Sequence, residues 1–210
     1  MEKAARYYYE PQQGHGLAHD PLSAIIGPRP IGWIASRDQQ GKRNLAPYSF
    51  FNCFNYHPPI IGFASIGWKD SVANIANSKV FVWNMATKPL AEQMNLTSAA
   101  LAPQQDEFEF AGLTAEPAKK VNADRVVQSP VNFECELSQL IQLQKADGEQ
   151  LDTWLVLGEV VAVHIEPSLL DAQGNFMTSK AQPILRAGGP SAYYGISEQQ
   201  RFELKRPIMP

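Results

Sequence analysis

Apolar residues fall along this chain in short runs broken repeatedly by Gly, Pro, Asn and Asp, a pattern of strands and turns. Residues 30–36 form an Ile- and Trp-rich run. Arg37-Asp38-Gln39-Gln40-Gly41-Lys42 and then Asn44-Leu45-Ala46 follow it, which predicts a β-hairpin. Residues 47–55 are mixed, and Pro47 removes a ladder donor, so no regular central strand is expected there. Pro58-Pro59 opens an apolar strand over 60–66. Gly67-Trp68-Lys69-Asp70 reads as a turn, with Asp70 as N-cap of a helix over 71–78. Val72, Ile75 and Ala76 share its core face. A further strand over 80–85 precedes a second helix that starts near Pro89 and carries Leu90 and Met94.

Residues 99–124 are less regular and read as a surface excursion with short helical pieces. The clearest period-two stretch covers 131–143. There Val131, Phe133, Cys135 and Leu137 alternate with Asn132, Glu134, Glu136 and Ser138. Its slip at Gln139-Leu140-Ile141 predicts a bulge. A second long strand over 153–165 is apolar on both faces, as in a barrel whose outside meets another layer or subunit. The tail holds two short strand candidates, at 183–189 and 201–207. Short strands, frequent turns and few short helices point to a mainly β chain, a barrel with helical additions.

Composition narrows the class. With 210 residues, 44% hydrophobic and 19% charged, the chain can bury a core as one domain over 21–210, preceded by an extended arm over 1–20. A net charge of −3, with no run of Lys and Arg longer than two, argues against nucleic-acid or anionic-membrane partners. No apolar run is long enough to span a membrane, and the first residues lack a secretory pattern, so a cytoplasmic protein is expected. Cys53 and Cys135 have no metal spacing and read as buried free thiols.

Two stretches carry candidate chemistry. Lys69-Asp70-Ser71 at a helix start combines free N–H groups, partial positive charge, a hydroxyl and an ammonium, a set suited to a terminal phosphate. An Asp70 carboxylate acting as cap would occupy one of those donors. Pro47-Tyr48-Ser49-Phe50-Phe51-Asn52 mixes rings with hydroxyl and amide groups, which suits a flat heteroaromatic ring. Taken alone, each stretch is also an ordinary cap or turn. His15 and His19 lie in the arm, His57 in a loop and His164 on a strand, where it reads as a packed or hydrogen-bonded residue. No zinc spacing, GxSxG, HExxH, P-loop or GxGxxG pattern occurs, so no metal site and no catalytic side chain are assigned.

The ordered combination of PRPIGWIASRD, NLAPYSFFN, Pro58-Pro59, KDSVANI, FVWNMAT, DEFEFAGLT, GEVVAVHI and PILRAGGPSAYY resembles the flavin reductase-like family, over nearly the whole chain. That resemblance implies an FMN-binding split β-barrel, mainly β with short helices and Greek-key-like, in a homodimer with FMN near the subunit interface. It places Ala46, Pro47, Tyr48, Ser49 and Asn52 along the isoalloxazine. Ser65, Lys69, Asp70, Ser71 and Asn74 fall at the ribityl phosphate. It also implies an NAD(P)H-dependent flavin reductase or oxidoreductase passing electrons through flavin N5, with NADH or NADPH as donor and an oxygenase as partner. The alternative is a non-catalytic FMN-binding or electron-transfer protein. Where the family commonly reads Leu-Gly-Tyr after Leu185-Arg186, this chain has Ala187-Gly188-Gly189, a departure that bears on the open side of the ring.

Three consecutive tyrosines, Tyr7 to Tyr9, are expected to bring the arm onto the body or onto a second subunit. Deleting residues 1–16 is then expected to lower the melting temperature or weaken self-association. Calorimetry and light scattering check this, and no change in either contradicts it.

Overall fold

The computed structural model describes residues 6–102 and 105–207; of the arm, residues 1–5 lie outside the described residues. A single helical turn, α1 (Leu22–Ile25), leads into β1 (Arg29–Pro30), β2 (Gly32–Arg37), β3 (Arg43–Tyr48), β4 (Phe51–Tyr56) and β5 (Pro59–Ile66). Then come α2 (Asp70–Ser78), β6 (Val80–Asn84), α3 (Ala91–Leu96), α4 (Glu107–Phe110), β7 (Ala115–Pro117) and β8 (Asp124–Val126). The long strands β9 (Val131–Gln144) and β10 (Gln150–Ile165) precede α5 (Thr178–Ala181), β11 (Ile184–Arg186) and β12 (Tyr193–Gly195).

Seven strands form one antiparallel sheet in the order β3-β2-β6-β9-β10-β5-β4. Its two edge strands, β3 and β4, are joined only by Ser49 and Phe50. A link of that length reaches about 11 Å, so the sheet must curl until its edges approach. The Phe50 carbonyl fixes the corner by accepting from the Ala64 N–H at 2.8 Å. Gly32 leaves room there, since a Cβ would lie 2.8 Å from the Phe51 ring. As expected, no central strand runs through residues 47–55: Pro47 belongs to the edge strand β3 and residues 51–56 form the other edge strand, β4. The Leu45 N–H, two positions earlier, points away from the ladder to Glu107, so the donor that Pro47 lacks falls on the open side.

Alternation then divides the apolar residues between two cores. Ile34, Tyr48, Phe63, Phe81, Trp83, Cys135 and Val156 fill the barrel, and α2 adds Val72 and Ile75 as it crosses one mouth from β5 to β6. Trp33, Ala35, Leu45 and Val82 project outward beneath Leu90, Met94, Phe108, Leu113, Val121 and Val126. Residues 105–124 hold a short helical piece, α4, as expected, but form the cover of this second core, not a surface excursion. Trp33 is fully buried, and its Nε1 donates to Thr97 Oγ1 at 3.0 Å.

Polar contacts lock the cover to the sheet. Arg37 forms a two-pronged pair with Asp124 at 2.7 and 2.6 Å, which raises the arginine pKa through that hydrogen bond. Arg43 holds Asp106 at 2.6 Å. Glu107 accepts the free edge N–H of Leu45 at 3.2 Å, and burial raises its pKa. The polar members of the period-two pattern are the larger surprise, because Asn132 and Glu134 are buried under the cover. Asn132 donates to Asn84 at 2.8 Å. Glu134 accepts the backbone N–H groups of Lys119, Lys120 and Val121 at 2.9, 2.6 and 3.1 Å, and meets His164 Nε2 at 2.6 Å. Burial by itself would raise the Glu134 pKa, but His164 and the three amides outweigh it and the net shift is downward.

Other details refine the expectations. The β9 register shift falls between Leu137 and Gln139, just ahead of the expected slip. Cys135 is buried and burial pushes its thiol well up, whereas Cys53 is exposed on the edge strand β4, contrary to expectation. Residues 201–207 carry no strand; the second tail strand is β12, which extends the β1–β11 pairing. The described part of the arm packs on itself, Tyr7 donating to the His15 carbonyl at 2.9 Å, and leaves Tyr7 and Tyr8 exposed.

Replacing Glu134 by Ala leaves three loop amides without their acceptor, one buried and two part-buried, and is expected to cost about 3 kcal/mol. Because its folded pKa is depressed, the carboxylate's contribution is full above the unfolded value of about 4.3 and lost as pH falls through the lower folded value. Urea denaturation at pH 7 and in acid should therefore show a steeper acid loss in wild type than in Glu134→Gln. Equal slopes contradict this.

Candidate functional site

The mouth crossed by α2 gathers polar side chains from β2, β3, β5 and the helix itself. Ser36, Asn44, Ser65, Ser71 and Asn74 are all buried there, with Tyr48 beneath them. Asn44 Nδ2 donates to Ser71 Oγ at 2.8 Å and lies 3.4 Å from Ser36 Oγ, which also accepts from Asn74 Nδ2 at 3.3 Å. Ser71 Oγ is thus an acceptor towards Asn44, and its own proton is directed to the neighbouring Tyr48 hydroxyl or to a ligand. Ser65 Oγ donates to the Gly67 carbonyl at 2.9 Å. The Tyr48 hydroxyl sits beside the Ser71 and Ser65 hydroxyls. Burial raises its pKa, with those hydroxyls pulling down and the Asp70 charge pushing up, so it stays a neutral phenol.

The local sequence builds an uncapped helix start. Gly67 takes φ 88°, a left-handed turn that glycine accepts without strain. Lys69 is then extended and acts as N-cap, its carbonyl accepting from Ala73 N at 3.0 Å. The expected role of Asp70 is corrected: it is the first helical residue, and no side chain caps α2. The amides of the first turn therefore have no acceptor within the helix and face outward with the positive end of the helix dipole. Lys69 and Asp70 are exposed at the lip. Against them stand Trp68 and Trp154, edge to face at 4.5 Å, and Trp154 pairs with Ser65 in the ladder. Trp154 Nε1 is buried without a partner, a further donor at this mouth.

The 46–52 segment is only partly drawn into this arrangement. Ala46 and Pro47 are half-buried on β3, and Ser49 is half-buried at the corner, where its carbonyl accepts from Arg29 Nε at 3.1 Å. Asn52 is exposed, pairs with Gly62 on the outer face, and its Oδ1 accepts from the Cys53 N–H at 2.8 Å. It does not join the mouth cluster. Sequence reading missed Ser36, Asn44, Trp68 and Trp154. Ser36 and Asn44 face each other across the expected hairpin, which was the available signal for both. Trp68 and Trp154 come together only through the fold.

This donor set fits a phosphate monoester: free amides at a helix start, the Ser71 hydroxyl and the Lys69 ammonium, with Asp70 the opposing charge. Among the described residues, no group of His, Cys, Asp or Glu is placed to hold a metal. His164 is hydrogen-bonded to Glu134, which agrees with a packed role.

Residues 27–183 match the family described as flavin reductase like domain. An uncharacterized protein of Aquifex aeolicus is 35% identical over 170 residues, covering 79% of this chain and 83% of that protein. Nitrilotriacetate monooxygenase component B from Bacillus cereus superposes with a TM-score of 0.86 at 28% identity, over 96% of this chain and all of that one. Pseudomonas fluorescens 2-nitrobenzoate 2-nitroreductase NbaA gives 0.76 at 31% identity, over 89% and 88%. The split-barrel architecture, the sheet closed by Ser49-Phe50 and the family match agree, and the chain belongs to the flavin reductase-like domain family.

Proposed function

We propose that this protein binds FMN and works as an NAD(P)H-dependent flavin reductase or related oxidoreductase. The observation that carries the reading is the uncapped start of α2, with the Ser71 hydroxyl held by a buried polar cluster and Lys69 exposed at the lip beside it. Similarity to proteins named as a nitroreductase and as a monooxygenase component supports a redox role, and an oxygenase is the partner class that the latter suggests. When bound, FMN would supply the redox chemistry, acceptance of a hydride from NADH or NADPH and onward electron transfer.

The chain's own residues bind and position. Lys69 and the first-turn amides hold the phosphate, while Asn44 fixes the Ser71 hydroxyl and leaves its proton for the ligand or for Tyr48. Arg29 pins the Ser49 carbonyl, so the corner beside the ring segment is rigid before anything binds. Tyr48 and the paired Trp68 and Trp154 exclude water from the mouth. No side chain in this set is required to exchange a proton, consistent with the lack of any catalytic motif.

A homodimer completes the reading. Phe54 and Ile141 are exposed, and Leu155 and Leu157 half-buried, on the outer face of β4, β5, β10 and β9, and Asn52 stands on the same face. An edge strand with apolar side chains on its outer face is a surface that proteins ordinarily cover. A second copy would bring Asn52 into a covered site.

Purified protein is expected to be yellow, or to take up FMN, and NADH or NADPH should bleach it without oxygen. Lys69→Ala should weaken FMN binding at least tenfold in a fluorescence titration while changing stability by under about 0.5 kcal/mol. Unchanged affinity in both Lys69→Ala and Ser71→Ala overturns the phosphate assignment. Tight FMN binding without bleaching by either nicotinamide leaves the electron-transfer alternative. For the dimer, Phe54→Asp should yield monomer in sedimentation; an unchanged mass, or a monomeric wild type, contradicts it.

A further inference from the structure

Arg29 and Arg186 stand directly opposite each other where β1 pairs with β11. Like charges opposed across an antiparallel ladder are destabilising. Among the described residues neither guanidinium has a carboxylate partner; both are held by neutral carbonyls. Arg29 donates from Nη1 to Ser23 O and from Nε to Ser49 O. Arg186 donates to Ala192 O at 2.7 Å and to Gly189 O and Pro190 O, each at 2.9 Å. Each also lies over a ring, Arg29 at 5.5 Å from Phe50 and Arg186 at 5.0 Å from Tyr193, and both rings are partly exposed.

The pair is rigid as well as uncompensated. Gly188 packs so closely on α1 that a Cβ would lie 2.3 Å from Ala24 Cβ, which fixes the turn that Arg186 binds. Burial and then the Arg186 charge pull the Arg29 pKa down, but a guanidinium remains protonated throughout the working range. The Nη2 donors of Arg29 and the Nε of Arg186 are left over once these carbonyl bonds are counted. A loop staple alone explains three bonds from Arg186 to the 189–192 turn. It does not explain a second arginine opposite, with spare donors and no acid.

We propose that Arg29 and Arg186 form an oxyanion subsite beside the Ser49-Phe50 corner, recognising a carboxylate or phosphate on the electron donor or acceptor. This rests on the flavin ring lying along residues 46–52, because the corner then places the subsite next to the ring. Two adjacent guanidinium groups with N–H donors to spare are well suited to a carboxylate or phosphate oxygen and poorly suited to a neutral substrate. Gly188 lets α1 approach and so sets the turn that holds the Arg186 side chain.

The test is isothermal titration of benzoate, inorganic pyrophosphate and neutral benzamide into FMN-loaded and FMN-free protein. Wild type should bind at least one of the two anions, more weakly as salt rises, and benzamide at least tenfold less well. Arg186→Gln should weaken the anion at least tenfold and leave FMN affinity within about twofold. Arg29→Lys keeps the charge but loses the spare Nη2 donors, and should weaken the anion several-fold; it decides the matter should Arg186→Gln unfold with its turn. Preference for pyrophosphate assigns the subsite to a dinucleotide donor, and preference for benzoate to a carboxylate-bearing acceptor. No anion binding to wild type, or equal binding in wild type and the variants, overturns the proposal. If wild type takes no FMN, the flavin reading fails separately, and the FMN-free titrations still decide the subsite.

Discussion

The two-residue link from β3 to β4 is the constraint on which this architecture depends. It ties together the first and last strands of a seven-stranded sheet, and only a closed or nearly closed sheet satisfies it. Closure creates an inside for Phe63, Phe81 and Trp83, and a mouth for α2 to cross. It also sets a corner at Ser49-Phe50 where no ladder runs on, so backbone carbonyls there turn to Arg29 and Ala64. The candidate site is thus a product of the same geometry that makes the fold.

A barrel this small needs its outer face covered, and the cover is held by charge and amide chemistry as much as by apolar area. Trp33, Phe108 and Met94 supply the buried surface. Glu134, Asp124 and Asp106 supply direction, each fixing a loop to the sheet at one position. A fully buried carboxylate is costly unless its oxygens are satisfied, and Glu134 has four donors. That arrangement fixes the 117–123 loop more tightly than apolar contact would.

Strand and helix positions were largely legible in the chain, because alternation and turn chemistry act locally. The β2–β3 hairpin, β5, α2, β6, β9 and β10 all follow from such signals. What escaped was decided by distant partners. Pro47 argued only against a central strand; that it joins an edge strand, whose open side makes a missing donor harmless, depended on the strand order. Glu134 looked like the wet side of an amphipathic strand, since its three amide donors lie 13 to 15 residues away in an irregular loop. Asp70 looked like a cap, and the one-residue difference that makes Lys69 the cap frees the amides that the phosphate reading requires. Ser71 and Lys69 were assigned from sequence; Asn44, which orients Ser71, was signalled only by its place opposite Ser36 in the hairpin.

The account's central claim is that the uncapped start of α2 receives the phosphate of a flavin whose ring runs towards the Ser49-Phe50 corner. Crystallography of the protein soaked with FMN tests it most directly. The account predicts phosphate density within hydrogen-bonding distance of Ser71 Oγ and the first-turn amides, with ring density against residues 46–52. Phosphate density at any other place in the fold contradicts it.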